Sequence, residues 1–569
     1  MQTYTPPTED FLFLLYEVFE IEKNNNPKFA ELTRENVEPI LAAAGQLASE
    51  VLSPINKTGD KEGCSLVNGS VKTPSGFKEA FKTMCDGGWP SMNCEPNYGG
   101  QGIPLTVSSC VGEMFASANI SLFIYQALTH GVYSTILAHG TEDQKDTYLE
   151  NLVKCKWTGT MNLTEPQCGT DLGLIKTKAV PKKSGAYEIT GQKLFISAGD
   201  HDLAENIIHL VLAKIPGGPE GVKGISLFIV PKFLLDSNGN LGTQNDLTIG
   251  KIENKMGIHG NATCVINYEG ATGYLLGSEN KGLRAMFTMM NEARLGVGIQ
   301  GLAQAAIAYQ NAVKYAKERL QGKSFSRKQE EKSIADPIIS HPDIRRILME
   351  QKSFIEASRA FTVWVSTLLD KGHFFQDEES EGLASLLVPV VKAYLSDKGF
   401  NSTIDAQQIL GGHGYVEDYS FSQFARDCRI AMIYEGTNSI QALDLVGRKL
   451  AKDSGKNILN LMKIIDFFIK ENQDNKVLKK QFLDPLKDST KDLEAALQFF
   501  VEKGLSDPVN VLTGANDFLH LLGNVVHPFT LDGTDGSSTN AGDNILEETD
   551  GDMLLQETAS DDLNKVGQV

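Results

Sequence analysis

The chain has 569 residues, 41% of them hydrophobic, which is enough for several packed domains around a large core. Its formal charge of −19 excludes a general nucleic-acid binder, which must neutralise phosphates with Lys and Arg. No apolar run reaches the roughly 18 residues of a membrane span, the opening Met1-Gln-Thr-Tyr-Thr-Pro-Pro is neither a secretory nor an organelle signal, and the eight cysteines contain no C-x-x-C pair. The expectation is a reduced, cytoplasmic protein without a membrane span, nucleic-acid partner or metal site.

Periodicity divides the chain. Residues 1–158 predict an all-α domain, with helices over 8–22, 27–52, 105–135 and 143–153 and a Pro- and Gly-containing loop over 54–69. Residues 159–277 switch to period two and short apolar runs such as Lys193-Leu-Phe-Ile-Ser197 and Ile225-Ser-Leu-Phe-Ile-Val230, the pattern of a β-barrel-like domain. Residues 278–455 predict a four-helix bundle, with helices over 283–320, 342–371 and 383–400. A further helical module covers 456–528, broken at Pro485 and stopping near Val526. The tail, 529–569, is too poor in apolar residues to fold, and ten carboxylates face one lysine beyond Thr530. The class is α+β and multidomain.

One stretch carries chemistry in its own residues: Met432-Ile-Tyr-Glu-Gly-Thr-Asn-Ser-Ile-Gln441. Glu435 lies between an apolar run and a short turn that opens a helix, which Asn438 or Ser439 can cap. Burial there would raise the carboxyl's pKa and suit it to accept a proton near neutral pH; an ordinary first-turn Glu favouring the helix dipole gives the same pattern. Gly296-Val-Gly298-Ile-Gln-Gly301 matches G-x-G-x-x-G, but it lies inside a helical run without a preceding strand, so it is not read as a dinucleotide site.

Tyr434-Glu-Gly-Thr437 resembles the catalytic signature of the acyl-CoA dehydrogenase family, and the other parts follow in the family's order. Thr164-Glu-Pro-Gln-Cys-Gly-Thr170-Asp171 is similar to its Thr-Glu-Pro-x-x-Gly-Ser-Asp, Phe195-Ile-Ser197 to its flavin-stacking segment, and Gln408-Ile-Leu-Gly411-Gly412-His-Gly-Tyr415 to its Gln-x-x-Gly-Gly-x-Gly-Tyr. Arg319-Leu-Gln-Gly-Lys323 resembles Arg-x-x-Phe-Gly-Lys without the aromatic. The insert 324–334 and Ser340-His-Pro-Asp343 resemble one branch, the enzymes acting on 3-methylmercaptopropionyl-CoA. The resemblance implies FAD as cofactor and Glu435 as the base that takes the α-proton of an acyl-CoA. It places Leu163, Thr164, Phe195, Ser197, Thr437 and Ser439 at the flavin. Arg319, Gln408, Gly411 and Gly412 fall at an FAD pyrophosphate shared across a homodimer or dimer of dimers. Thr170, Arg294, Tyr434 and Gly436 fall at the substrate. Some members carry the base on the long helix, where this chain has Ala293, which cannot act as one.

The implied reaction is α,β-dehydrogenation of a short-chain acyl-CoA, 3-methylmercaptopropionyl-CoA first, with electrons passed to an electron-transferring flavoprotein. The alternatives are a general short- or medium-chain dehydrogenase, an oxidase on the same fold and, from another class, a DNA-associated homologue, which the acidic charge opposes.

Overall fold

Two long apolar-faced helices cross at glycines, and the rest of the helical body is arranged round that crossing. In the computed structural model, which describes residues 3–23, 26–236, 239–324, 334–504 and 507–530, Leu105–His139 (α1) is the long helix of the opening region. Gly282–Glu318 (α2), Pro342–Phe375 (α3) and Glu378–Ile409 (α4) follow in the C-terminal region. Phe421–Arg429 (α5) and Asn438–Asp444 (α6) close the bundle against α4. The G-x-G-x-x-G run lies within α2, where its glycines serve packing. A Cβ on Gly301 would stand 2.6 Å from the Leu395 carbonyl oxygen, and one on Gly399 would stand 2.3 Å from the Gly301 carbonyl oxygen. Backbones of α2 and α4 therefore touch, which only a residue without a side chain permits.

The opening region is helical with three departures from expectation. The helix expected over 27–52 is two helices, Pro27–Ala30 and Arg34–Leu47, with a cap at Thr33 between them. Pro54 starts no loop: the helical run continues to Glu62, and a Ser65–Val67/Ser70–Lys72 hairpin follows. A π-turn over Ala48–Leu52 directly precedes that proline, with Ser53 N–H donating to the Ala48 carbonyl. The wider turn accommodates a residue with no N–H to give. The same device passes the chain through Pro485, where a π-turn over Lys479–Leu483 leads into Asp484–Gly504 without the expected break. By length and composition α1 could cross a membrane, but 89% of its apolar window is buried inside the fold.

The middle strands close on themselves. Trp157–Asn162 (β1), Lys178–Pro181 (β2), Tyr187–Ser197 (β3), Asn206–Lys214 (β4), Ile225–Pro231 (β5), Leu247–Ile252 (β6) and Thr263–Leu276 (β7) form one sheet. Its pairings run β7–β3–β2–β4–β5 and back to β7, a ring, with β1 parallel beside β4 and β6 antiparallel beside β7. β7 makes the closure: its first part pairs with β3, two irregularities turn it, and Tyr274–Leu276 pair with β5.

Arg426 and Asp427, from the motif between the glycine turn and Glu435, clamp the regions together. Arg426 forks onto Asp60 of the opening region, whose carboxylate also lies 2.9 Å from His259 Nδ1 of the middle domain. Asp427 accepts from Ile258 N–H, and a Cβ on Gly257 would strike the Arg426 carbonyl. Beyond the bundle, Lys456–Glu471, Asp484–Gly504 and Pro508–Phe529 (α7) form the additional module, with α7 lying on α4 and α6. The acidic tail lies outside the described residues.

The crossing yields a stability test. Gly301→Ala is expected to cost about 1–3 kcal/mol by overpacking. Gly296→Ala in the same motif, where a Cβ meets nothing within 4 Å, is expected to be neutral or slightly stabilising, since Ala is the better helix former. Paired thermal melts compare the two.

Candidate active site

Glu435 stands on a turn between Ile430–Met432 and α6, with a left-handed φ of 58° followed by Gly436 at 84°. A non-glycine residue holds that conformation only where its surroundings impose it. Gln441 of α6 donates to the carbonyls of both Glu435 and Gly436, at 2.9 and 3.3 Å. Lys392 of α4, wholly buried, donates to the Gly436 carbonyl at 2.7 Å and to Asn438 Oδ1 at 2.8 Å. The cap of α6 is Thr437, whose Oγ1 accepts from Ile440 N–H, and not Asn438 or Ser439. Asn438 is instead buried, with its amide spent on α4, and Ser439 is exposed.

The turn presents a carboxylate oxygen, Glu435 Oε2, that is buried and has no hydrogen-bond partner among the described residues. Burial pushes this carboxyl up to about 7, against the cations of Arg294 and Lys392, which draw it down. Arg294 is itself buried and bonds Asp444 of α6 at 2.7 Å, so its charge faces the Glu435 turn from α2 within the bundle. Tyr434 donates its hydroxyl to Gln300 of α2. Glu292 turns to α1, 3.3 Å from His130 Nδ1.

A second loop, at the barrel, is built the same way. Lys193 of β3, also wholly buried, donates to the Leu163 carbonyl at 2.9 Å and to Glu165 at 2.8 Å. Glu165 further accepts from the N–H groups of Lys176 and Thr177 and from the Thr177 hydroxyl. Burial would raise Glu165; Lys193 and these donors more than offset it and hold the carboxyl down at about 2. Leu194 N–H bonds the Thr164 carbonyl at 2.9 Å, which sets Thr164 beside Phe195. Phe195, at φ 58°, leaves 61% of its surface exposed, between the half-buried Leu194 and the buried Ile196. Ser197 gives its carbonyl to Thr160, and Thr170 lies exposed on the turn beyond Glu165.

A third group gathers apart from these two. A cavity of about 580 Å³ is lined by Arg319, Gln408, Gly411 and Gly412 together with Tyr315, His341 and His413. Gly411 has φ 56° and a Cβ on either Gly411 or Gly412 would meet nothing, so their backbone is an open floor. Gly414 is different: a Cβ there would stand 2.2 Å from the Gln407 carbonyl oxygen, a packing requirement. His413 stacks on Tyr419 and bonds Tyr315.

Residues 35–156, 160–271 and 280–450 match the N-terminal, middle and C-terminal domain families of acyl-CoA dehydrogenase. The chain is 37% identical to 3-methylmercaptopropionyl-CoA dehydrogenase of Ruegeria pomeroyi, over 92% of this chain and 89% of that one. It belongs to the acyl-CoA dehydrogenase family. It is also 37% identical to a butyryl-CoA dehydrogenase of Syntrophomonas wolfei, over 77% of this chain and 74% of that one. The acyl-CoA dehydrogenase of Bacillus anthracis solved with FAD has the same fold, with a TM-score of 0.72 at 21% identity over 91% of this chain and 84% of that one. The protein is an FAD-dependent oxidoreductase with acyl-CoA dehydrogenase activity. The residues present fit that cofactor: an exposed aromatic held at positive φ, a cavity floored by bare glycine backbone with an arginine at its edge, and a partnerless buried carboxylate.

Lys392, Lys193, Gln300 and Asp444 were not among the residues the sequence pointed to, and Gln441 entered only as the end of the signature stretch, without a role. Lys392 left one signal, a lone charge in the apolar run Leu386-Leu-Val-Pro-Val-Val-Lys-Ala-Tyr-Leu395.

The raised pKa of Glu435 has a stability consequence of definite sign. Between its ordinary value of 4.5 and about 7 the folded protein holds a proton that the unfolded chain releases, so the group's contribution falls as pH rises through that window. Glu435→Gln is expected to melt above the wild type at about pH 8 and to lose that advantage below about pH 5, as read by thermal melts across pH.

Proposed function

We propose that Glu435 is the base of this acyl-CoA dehydrogenase and that the substrate is a short-chain thioester, 3-methylmercaptopropionyl-CoA first. The observation that carries the base is the buried, partnerless Oε2 on a turn held at positive φ, with its carboxyl raised to about 7. Such a group is ionised in useful amounts near neutral pH and still binds a proton strongly. Arg294 and Lys392 hold the anion in place, and Gln441 and Lys392 fix the two carbonyls of the turn. The backbone N–H of Glu435 is the donor assigned to the thioester oxygen, whose charge grows as the α-proton leaves. Tyr434 and Gly436 flank the reacting carbons, and Arg294 acts on the substrate through the base.

Leu163, Thr164, Phe195 and Ser197 would hold the flavin ring of FAD, with Thr437 and Ser439 beside it, and the bound cofactor would supply the acceptor for the β-hydride. Thr437 uses its oxygen as a cap and keeps its hydroxyl hydrogen to donate. Arg319, Gln408, Gly411 and Gly412 take the pyrophosphate of a partner subunit's FAD; a guanidinium over bare backbone suits phosphate oxygens. Thr170, exposed beyond the Glu165 turn, meets the CoA arm. The reading is of a cytoplasmic homodimer or dimer of dimers that delivers its electrons to an electron-transferring flavoprotein.

The substrate rests on similarity to the Ruegeria pomeroyi enzyme over nearly the whole of both chains. The equal identity to a butyryl-CoA dehydrogenase, over less of each chain, favours short straight chains as the second reading. A 3-methylthiopropionyl group has the length of a five-carbon acyl chain with sulfur in place of one methylene, so both readings need a pocket of similar depth.

Glu435→Gln is expected to bind FAD and remain yellow but to bleach with acyl-CoA at least ~10³-fold more slowly; bleaching at the wild-type rate would remove the base assignment. Across butyryl-, isobutyryl-, octanoyl- and 3-methylmercaptopropionyl-CoA, the last should give the highest kcat/KM by stopped-flow bleaching. A preference for octanoyl-CoA would exclude the substrate. Peroxide release under air would favour an oxidase.

A further inference from the structure

The additional C-terminal module reaches the base loop through an unbroken line of polar contacts. At the loop end, Lys392 bonds the Gly436 carbonyl and Asn438 Oδ1. Asn438 then turns its Nδ2 to Asp397 Oδ1 at 2.7 Å and to Ser396 Oγ at 3.0 Å. Its amide has one workable orientation, because the reverse would set Nδ2 against the Lys392 ammonium. Asp397 offers its other oxygen, Oδ2, to His520 Nε2 of α7 at 3.0 Å. One helical turn of α7 away, Asn524 accepts from the Tyr394 hydroxyl at 2.9 Å, and a Cβ on Gly523 would stand 2.3 Å from the Tyr394 ring. The module is thus pressed onto the segment of α4 that carries Lys392, Tyr394, Ser396 and Asp397.

These contacts are placed where they matter electrically. Glu435 is faced by Arg294 from α2 and by Lys392 from α4. Arg294 is bonded to Asp444 of α6, which it shares with Arg448 at 2.6 Å, so its direct partner is a carboxylate of α6. Lys392 instead bonds a carbonyl and an amide oxygen, with no carboxylate bonded to it among the described residues. Burial pulls it down to about 7, while the charges of Glu435 and Asp397 pull it up and Arg294 pulls it down. Asp397 in turn faces His520 from α7. A buried ammonium keeps its proton only while nearby anions and acceptors favour the charged form. Holding the Asp397 carboxylate beside Asn438 favours the charged form of Lys392, and a charged Lys392 favours the Glu435 anion.

The geometry points to His520, Asp397 and Asn438 as positioning residues through which the C-terminal module sets the placement and basicity of Glu435. The module is then part of the support of the active site, and its loss would reach the chemistry without touching the cofactor. This rests on the reading of Glu435 as the base, which Glu435→Gln bleaching tests separately: if that variant keeps its rate the base is elsewhere, whatever the module does.

The test uses the full-length, FAD-loaded enzyme with Asp397→Asn, His520→Ala and His520→Gln, measured for FAD content, KM, and kcat against pH. Asp397→Asn and His520→Ala are expected to keep FAD and KM, to lose about tenfold in kcat and to move the acid limb of the kcat profile up by about half a pH unit or more. His520→Gln retains an N–H within reach of Asp397 and is expected to recover most of both effects. An acid limb that stays in place in Asp397→Asn and His520→Ala overturns the proposal. So does a His520→Gln profile indistinguishable from His520→Ala, which would mean that the histidine only fills space.

Discussion

Burying the carboxylate of Glu435 on a left-handed turn is unfavourable twice over, once for the charge and once for the backbone, and the helical body has to hold it there. It does so with hydrogen bonds to carbonyls of the turn and leaves one carboxylate oxygen without a partner. Lys392 and Gln441 bind the backbone; Arg294 and Lys392 supply positive charge to the carboxylate. That division is what a base requires. A carboxylate tied by several donors is held in its charged form and binds a proton weakly, as Glu165 shows with its pKa down at about 2. Two buried glutamates are thus pushed in opposite directions, Glu165 by the bonded Lys193 cation and its further donors, Glu435 by burial that its cations do not offset.

The same physical device fixes both working loops. Lys193 and Lys392 are both wholly buried, and each gives one hydrogen to a loop carbonyl, Leu163 or Gly436, and another to a side-chain oxygen near it. An ammonium is well suited to this because its three donors rotate freely and can knit a loop without imposing a plane. Removing its charge would leave acceptors buried and unmatched. The barrel carries one such anchor and the bundle the other, and the Asp60–Arg426 clamp with the Asp427–Ile258 bond fixes the barrel against the helices.

Much of this was legible in the residues. The change from period 3.6 to period two marked the middle strands, and the lack of a strand before Gly296 rightly kept the glycine run from being taken for a nucleotide site. What escaped were effects of contact between distant segments. Pro54 and Pro485 signal breaks in any local reading, but a π-turn ahead of each carries the helix past it. Thr437 caps α6 because Asn438 is drawn away by Lys392, Ser396 and Asp397 of α4, which no local rule can see. Phe195 was singled out by resemblance, but its exposure goes with a positive φ, which the apolar run Lys193–Ser197 does not show.

Glycine placement shows the same limit from the other side. Gly298 and Gly301 are needed because α4 lies against them, whereas Gly296 in the same motif touches nothing. Gly411 and Gly412 are open and Gly414, two residues on, is shut against Gln407. A motif therefore mixes residues kept for approach to a ligand with residues kept for packing, and spacing alone cannot sort them. The surrounding geometry can: a glycine with space above it is free to admit a cofactor, and one pressed on a carbonyl is not. By that criterion the first half of Gln408–Tyr415 is the part left open to a ligand, and the second half serves to end α4 and turn the chain towards α5 and Glu435.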